Sequence, residues 1–512
     1  MPLRKHPLIL AALAGAITVL GFAPFEWFPL PLLTLAVLIA LWRSAADSRA
    51  AALTGFAFGL GYFMCGVSWV YVSMHDFGMM PAWLAVALTL LFCVYLALFP
   101  ALTGWVCRRL DCRSTMVALL ALPAVWTLTE WLRGWLLTGF PWLAVGYSQL
   151  PVSPLAGYIP IMGVYGASLL TLLSAALLCI GIEHALEARR QRPAQIALSL
   201  LDRPWLLALV VIWAGGFALK SVAWTTPAGE PLTAALVQGN IAQDLKWRED
   251  RMQSTLTSYR NLIESSDAQL TVLPETALPL FLHSVPREYL DSLAAHARRT
   301  TGGDILIGVP ERGDARTYYN TVISVGSAPE QFYRKSHLVP FGEFVPLKFL
   351  FGWFLDVAQI PLADFARGAE TQQPLAVAGQ KVAINICYED AFGTEITRQL
   401  PQATLLVNVS NVAWFGRSMA PQQHLQISQA RALETGRMML RATNTGMTAI
   451  IDPQGRVQDV APEFSTAVLR GTVQGYAGAT PYVRWTDMPV LILAVLLTAG
   501  VWLVQGRYRR QP

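Results

Sequence analysis

The chain has 512 residues, enough for two or three domains. With 54% hydrophobic and only 14% charged residues, and a positive mean hydropathy, it is too apolar for an ordinary soluble protein of this size. The net charge of +5 is small, and its basic residues sit in short loops between apolar stretches, a pattern of membrane topology rather than nucleic-acid binding.

The apolar excess fills residues 1 to about 224 and a tail after Met488. Crossing a bilayer takes roughly 17–25 apolar residues. Runs of that order lie near Pro7–Phe25, Phe28–Trp42, Ala51–Met74, Ala82–Val106, Ser114–Leu132, Tyr158–Ile182, Pro204–Ala223 and Met488–Gln505. The second is short and suits a re-entrant or tilted segment. Eight spans place both termini on one side, and the loop charges agree. Arg4 and Lys5, Arg43 and Arg49, Arg108, Arg109 and Arg113, Arg189, Arg190 and Arg192, and Arg507, Arg509 and Arg510 all fall on that side. Of the intervening loops, only Arg133 and Lys220 break the pattern. By the positive-inside rule the basic side is cytoplasmic, so the segment between the seventh and eighth spans is exported. The first run has no small-residue cleavage site, and Pro24 and Trp27 follow it, so it reads as a retained helix.

Within the spans, Glu130 and Arg133 stand three residues apart and can face each other on one helix side. Ionisable groups at that depth are paired or functional; a structural pair is slightly favoured over substrate contact. Trp69, Tyr71, Phe140, Trp142 and Tyr147 cluster towards the outer interface, where an aromatic belt is expected.

From Glu230 to about Ala479, short β-rich runs alternate with helical stretches. Strands are expected at Thr233–Val237, Leu270–Leu273, Asp304–Val309, Tyr319–Ser324, Val382–Ile386, Leu405–Val409 and Thr448–Asp452. Helices are expected at Arg251–Glu264, Arg287–Arg299 and His424–Arg441. This interleaving indicates an α/β layer fold, which places its chemistry at strand ends. Cys387 is the one cysteine of this segment; Cys65, Cys93 and Cys179 lie in spans, and Cys107 and Cys112 flank a cytoplasmic loop. An oxidising compartment offers Cys387 no partner here, which leaves a reactive thiol or a buried structural one.

Three apolar strands end in reactive residues: Leu270-Thr-Val-Leu-Pro-Glu275, Tyr333-Arg-Lys335 running on to Gly-Glu343-Phe, and Val382-Ala-Ile-Asn-Ile-Cys387-Tyr388-Glu389. A thiol attacks only as thiolate and needs a base or cation beside it. Glu275 is a suitable base and Lys335 a suitable partner for the thiolate and for an oxyanion. The Tyr388 N–H, just after the nucleophile, is a natural second oxyanion donor. Taken singly, Glu275 reads as a loop carboxylate, Lys335 as a solvated charge and His337 as a structural histidine.

Together these segments resemble the nitrilase superfamily, and its membrane-bound apolipoprotein N-acyltransferase branch most closely. The stretches Thr129-Glu-Trp-Leu-Arg-Gly-Trp, Thr138-Gly-Phe-Pro-Trp-Leu and Ser410-Asn-Val-Ala-Trp-Phe-Gly extend the resemblance over essentially the whole chain. It implies an α-helical membrane bundle of about eight transmembrane helices with an inserted αββα sandwich. The domains would be residues 1–226 with seven helices, 227–480 as the catalytic domain, and 481–512 as the last helix and basic tail. Glu275, Lys335 and Cys387 would be catalytic and Glu343 supporting. Read from their positions alone, Tyr388 and Glu389 orient the nucleophile loop, with a purely structural ion pair as the other reading of Glu389, and Asn411, Trp414 and Phe415 either line the acyl pocket or serve as packing.

The implied reaction moves an acyl chain from a membrane phospholipid, through a Cys387 thioester, to the α-amine of a diacylated lipoprotein's N-terminal cysteine. The implied place is a bacterial inner membrane, with the catalytic domain periplasmic. A membrane-tethered amidase would use the same residues but let water take the acyl group. A non-catalytic lipid-binding protein would have lost one of the three. The sequence shows no metal-ligand spacing and no glycine-rich phosphate loop, so no cofactor is expected.

Overall fold

The computed structural model describes residues 6–191, 204–314, 317–344 and 365–508. Arg4, Lys5, Arg192, Arg509 and Arg510 of the loop-charge pattern lie outside them. The chain forms two compact units: Met1–Ser68 with Val86–Val222 and Trp485–Pro512, and Trp69–Ala85 with Ala223–Arg484.

The first unit is helical, as its Leu-, Ala- and Val-rich runs require. Among the described residues, three helices are long and apolar enough to cross a membrane: Ala82–Arg109, Pro154–Glu187 and Met488–Arg507. Ser48–Gly66 and Val70–Phe77 meet the same test only together, as a bent pair. Pro7–Gly21, Pro29–Ser44 and Pro204–Leu219 are apolar but shorter. The expected run Ser114–Leu132 is divided, with a π-helical turn at Val117–Ala121 leading into the helix Leu122–Arg133.

The polar residues of that helix hold backbone. Arg133 donates from one terminal nitrogen to the carbonyls of Phe140 and Trp142, at 2.7 and 2.6 Å. Glu130 Oε1 accepts the Val145 N–H at 2.9 Å. Both residues are thus fastened to the irregular stretch that follows their helix, where buried peptide groups need partners. The aromatic expectation needs a correction. Trp69, Trp142 and Tyr147 are buried, and among the described residues exposed indoles are instead found at Trp27, Trp83, Trp105, Trp135, Trp485 and Trp502.

The second unit is built on strands. These are β1 (Thr226–Pro227), β2 (Leu232–Gln238), β3 (Leu270–Val272), β4 (Asp304–Arg312), β5 (Tyr318–Gly326), β6 (Phe332–Arg334) and β7 (Leu375–Val377). They continue as β8 (Gln380–Ile386), β9 (Leu405–Ser410), β10 (Met439–Thr443), β11 (Ala449–Ile451), β12 (Val457–Val460), β13 (Ala467–Val473) and β14 (Tyr476–Ala477). One six-stranded sheet runs β13-β2-β3-β4-β5-β6 and the other β12-β11-β10-β9-β8-β7, while β1 pairs with β14. Each sheet has a parallel centre, β2-β3-β4 in one and β8-β9-β10 in the other, with antiparallel strands outside it.

Strand alternation explains the layering. Leu232, Ala234 and Leu236 of β2 share one core with Val382, Ile384 and Ile386 of β8 and Leu405, Val407 and Val409 of β9, so the sheets pack face to face. On the outer face of the first sheet, Val237, Ile305 and Ile307 pack against helices Glu249–Glu264 and Arg287–Thr300. On that of the second, Leu406 and Met439 pack against Leu425 and Ala432 of helix Ala420–Thr435. The result is an αββα sandwich, as the resemblance implies.

One expected helix is shorter than predicted. His424–Arg441 does not run through, because Gly436 takes φ +63° and ends the helix after Thr435, and β10 begins at Met439. A side chain there would also collide with Thr225, 2.7 Å from a built Cβ.

Candidate active site

The reactive residues lie just beyond the carboxyl ends of the central strands, Glu275 after β3, Cys387 directly after β8 and Asn411 after β9, with Lys335 following β6. Glu275 sits in a tight turn packed against β4. A Cβ at Gly308 would lie 2.3 Å from the Pro274 carbonyl and 2.8 Å from Glu275 Cα, so glycine lets the turn approach. Cys387 is partly exposed at the start of a short 3₁₀ turn, whereas Glu275 and Lys335 are buried.

The two glutamates share one cation and one amide. Lys335 Nζ lies 2.8 Å from Glu343 Oε1 and 3.7 Å from Glu275 Oε1. Asn320 Nδ2, from β5, donates to Glu275 Oε1 at 2.7 Å and to Glu343 Oε1 at 3.2 Å. The outer oxygens are held by backbone, with Asn411 N–H donating to Glu275 Oε2 and Val339 N–H to Glu343 Oε2, both at 2.8 Å. Every carboxylate oxygen is thereby aimed. Glu275 follows a strand of one sheet and Asn411 a strand of the other, so this bond ties the Glu275 carboxylate to the half that carries the Cys387 thiol.

Burial works against the Lys335 ammonium, but Glu343, Glu275 and Cys387 outweigh it and hold its pKa above the ordinary lysine value. Lys335 therefore stays a cation. Burial and the Glu275 charge push the Cys387 thiol up, against Lys335. At rest Cys387 is thus a protonated thiol, and attack by its sulfur would need a neighbouring carboxylate to take the proton. This arrangement suits thiol-based acyl chemistry with a fixed base and a fixed oxyanion partner.

Residues 14–177 match the family model described as apolipoprotein N-acyltransferase N-terminal domain, and residues 233–482 match that of the carbon-nitrogen hydrolases. The apolipoprotein N-acyltransferase of Nitrosomonas europaea is 54% identical, over 96% of this chain and 96% of its own. Those of Chromobacterium violaceum and Ralstonia nicotianae are 47% and 46% identical, covering 99% and 95% of this chain and 96% and 91% of theirs. The chain belongs to the apolipoprotein N-acyltransferases.

Other expected site residues of this N-acyltransferase are placed as follows. Glu389 is buried and takes five neutral donors: Ile386 N–H at 2.7 Å, Ser336 N–H at 2.6 Å and hydroxyl at 2.9 Å, His337 N–H at 3.1 Å, and Tyr333 hydroxyl at 3.1 Å. It clamps the loop after Lys335 to the nucleophile turn. The Tyr388 ring lies against Phe392 and His337, and His337 stacks on Phe392 and bonds Glu395 at 3.0 Å. Asn411 spends its side chain on Gln243 and Asn444, at 2.8 and 3.1 Å. The segment Trp69–Ala85 meets the turn after Asn411. Phe415 is edge-on to Trp69, Phe77 to Trp414, and the Ser73 hydroxyl donates to the Trp414 carbonyl at 2.8 Å.

Sequence reading missed Asn320 and Lys246. Lys246 is buried and donates to the Glu275 carbonyl at 3.3 Å. Burial brings its pKa down to about 8, against the pull of Glu275 and Cys387. A lone lysine in a loop and an asparagine inside a strand gave no signal in the linear sequence.

Proposed function

We propose that this N-acyltransferase works through a Cys387 thioester, with Glu275 as base and Lys335 as oxyanion partner. Glu275 takes the Cys387 proton as the sulfur attacks the acyl ester carbonyl of a membrane phospholipid. The tetrahedral oxyanion rests on Lys335 and the Tyr388 N–H. The ester C–O bond then breaks, the lysophospholipid leaves with the proton from Glu275, and acyl-Cys387 remains. In the second half, the α-amine of a diacylated lipoprotein's N-terminal cysteine attacks the thioester, and Glu275 takes its proton. The C–S bond breaks, the amide is released, and the proton returns to sulfur. Glu343 holds Lys335 in place, Glu389 holds the nucleophile turn, and Asn411, Trp414 and Phe415 border the acyl site.

The observation that carries the reading is the shared bonding of Glu275 and Glu343 around Lys335, next to a thiol whose protonation answers to both charges. Likeness to named apolipoprotein N-acyltransferases over nearly the full chain supports the acceptor and lipoprotein N-acylation. The eight apolar runs and the loop charges of the sequence support eight spans in a bacterial inner membrane, residues 1–226 and 481–512, with residues 227–480 periplasmic, and among the described residues three helices, or four with the bent pair, have the length and apolarity to cross.

Mass spectrometry after incubation with dipalmitoyl phospholipid tests the first half: an acyl mass is expected on the Cys387 peptide. A Cys387→Ser form that transfers acyl groups normally would refute it. Adding a diacylated lipopeptide tests the second half, where release of free fatty acid without N-acylated peptide would identify an amidase instead.

A further inference from the structure

A closed polar network lies beneath the turn that carries Cys387, and no step above uses it. Cys387 takes φ 55°, a left-handed conformation that a non-glycine residue holds only when its surroundings impose it. Its carbonyl oxygen accepts from His424 Nε2 at 3.2 Å and from Asn408 Nδ2 at 3.1 Å. Both donors are themselves fixed. His424 Nε2 also reaches Asp390 Oδ1 at 2.7 Å, and because both neighbours are acceptors, Nε2 carries the hydrogen. Burial and the Arg441 charge hold His424 below the ordinary histidine pKa, so it is the neutral imidazole that donates.

The second oxygen of Asp390 accepts from the Ser428 hydroxyl at 2.5 Å and from Arg441 at 3.2 Å. The same Arg441 nitrogen donates to Asn408 Oδ1 at 2.6 Å, which turns the Asn408 amide nitrogen towards Cys387 and towards Asn385 Oδ1, also at 2.6 Å. His424 is 1% exposed, and Asn408, Asp390, Ser428 and Arg441 are 0% exposed. The circuit leaves the Cys387 carbonyl through one donor and returns to it through the other.

We propose that His424 and Asn408, locked by Asp390 and Arg441, are positioning residues that hold the Cys387 peptide left-handed and so aim its sulfur at the acyl carbonyl. The peptide group is planar, so the oxygen they grip fixes the direction of the Tyr388 N–H on its opposite side. One grip therefore sets both the nucleophile and an oxyanion donor. A buried ion pair is weak as a stabilising device, since apolar side chains of similar size can replace it without loss. Holding one carbonyl in a strained conformation is a task that an apolar cluster cannot perform. The inference rests on Cys387 being the nucleophile.

The test uses the full-length enzyme with micelles of dipalmitoylphosphatidylethanolamine, following acyl-Cys387 formation in a single turnover. His424→Leu is expected to slow acylation by about 100-fold, as misplacement of a reacting group does, with KM for lipid little changed. His424→Gln carries its amide nitrogen near the Nε2 position and is expected to recover to within about tenfold of the parent. A leucine variant as fast as the parent, or a glutamine variant as slow as leucine, overturns the proposal. Should the leucine variant not fold, glutamine decides alone. Acylation retained at a lowered melting temperature supports positioning, and acylation lost along with stability overturns it. Cys387→Ala, run in parallel, separates the two claims. Acyl transfer by that variant removes the nucleophile reading and this inference with it, whereas a dead alanine variant beside a fast leucine one removes the inference alone.

Discussion

Lys335 Nζ stands 2.8 Å from Glu343 Oε1, nearer than the 3.7 Å that separates it from Glu275. The lysine is thus held by Glu343 and only leaned upon by Glu275. That asymmetry suits the general-base role proposed for Glu275, because a carboxylate fully spent on a salt bridge is a poor proton acceptor. Burial and the Glu275 charge, against Lys335, keep the Cys387 thiol protonated until a substrate carbonyl can accept its electrons.

Glu275→Gln should separate nucleophile ionisation from turnover. Losing the base is expected to lower acyl transfer by roughly 10²–10⁴-fold. The same change removes a negative charge that pushes the Cys387 thiol up, so its pKa falls and more thiolate is present at pH 8. Iodoacetamide should therefore alkylate Cys387 faster in this inactive variant than in the parent. Mass spectrometry of the Cys387 peptide over a pH series reads the effect, and an unchanged alkylation rate would show that Glu275 does not act on the thiol.

Glu343→Gln should move the alkaline limb of activity. The charge of Glu343 is the strongest of the influences that keep Lys335 protonated against burial. With a neutral amide there, burial gains ground and the Lys335 pKa falls, so the ammonium is lost at lower pH. The expected profile of kcat against pH drops earlier on the alkaline side than in the parent, with the acid side in place. Glu343→Ala goes further, leaving a buried lysine short of its nearest partner, and is expected to cost about 3–5 kcal/mol of stability. An unmoved alkaline limb in the glutamine variant would separate Lys335 from the rate.

The sandwich was legible because β3, β4, β5, β8 and β9 carry apolar runs that end in punctuating residues, and each was found within about three residues of its ends. What escaped was set by contacts distant in sequence. β10 was absorbed into a predicted helix because the signal lay in one residue, Gly436, whose positive φ ends the helix. Cys387, Glu275 and Lys335 stood out because each closes an apolar strand with a reactive group. Asn320 and Lys246 lie in stretches of unremarkable composition and gain meaning only when β5 and the loop after β2 are brought beside Glu275. The eight-span expectation rested on apolar length, but several of these runs fold as shorter or broken helices.

Gly308→Ala should damage the site through the backbone. Its new Cβ would press on the Pro274 carbonyl and on Glu275 Cα, neither of which is the flexible end of a side chain. Overpacking of this kind costs about 1–3 kcal/mol, and displacement of the base should lower lipopeptide N-acylation by about 100-fold. A variant that folds and transfers normally would mean that the Pro274–Glu275 turn is not set by its approach to β4.

Lys246→Met should raise stability at neutral pH while lowering activity. The folded protein holds this lysine at a pKa of about 8, against an ordinary value of 10.5, because burial penalises the ammonium. The sign follows from linkage. Between those two values the unfolded chain binds more protons than the folded one, so this residue makes stability rise with pH. Below about pH 8 both states are protonated and the penalty stands in full, about 3 kcal/mol from the size of the shift. Methionine removes the charge and keeps most of the volume, at the loss of one hydrogen bond to the Glu275 carbonyl, itself worth about 1 kcal/mol. The variant should therefore be more stable than the parent by about 2 kcal/mol at pH 7, with the difference shrinking as pH rises from 8 towards 10.5. Unfolding of the two purified proteins in detergent at several pH values measures it. Activity should move the opposite way, by about tenfold, because the carbonyl that orients the base loses its donor. A methionine variant less stable than the parent at pH 7 would mean that the hydrogen bond to Glu275 outweighs the burial of the charge.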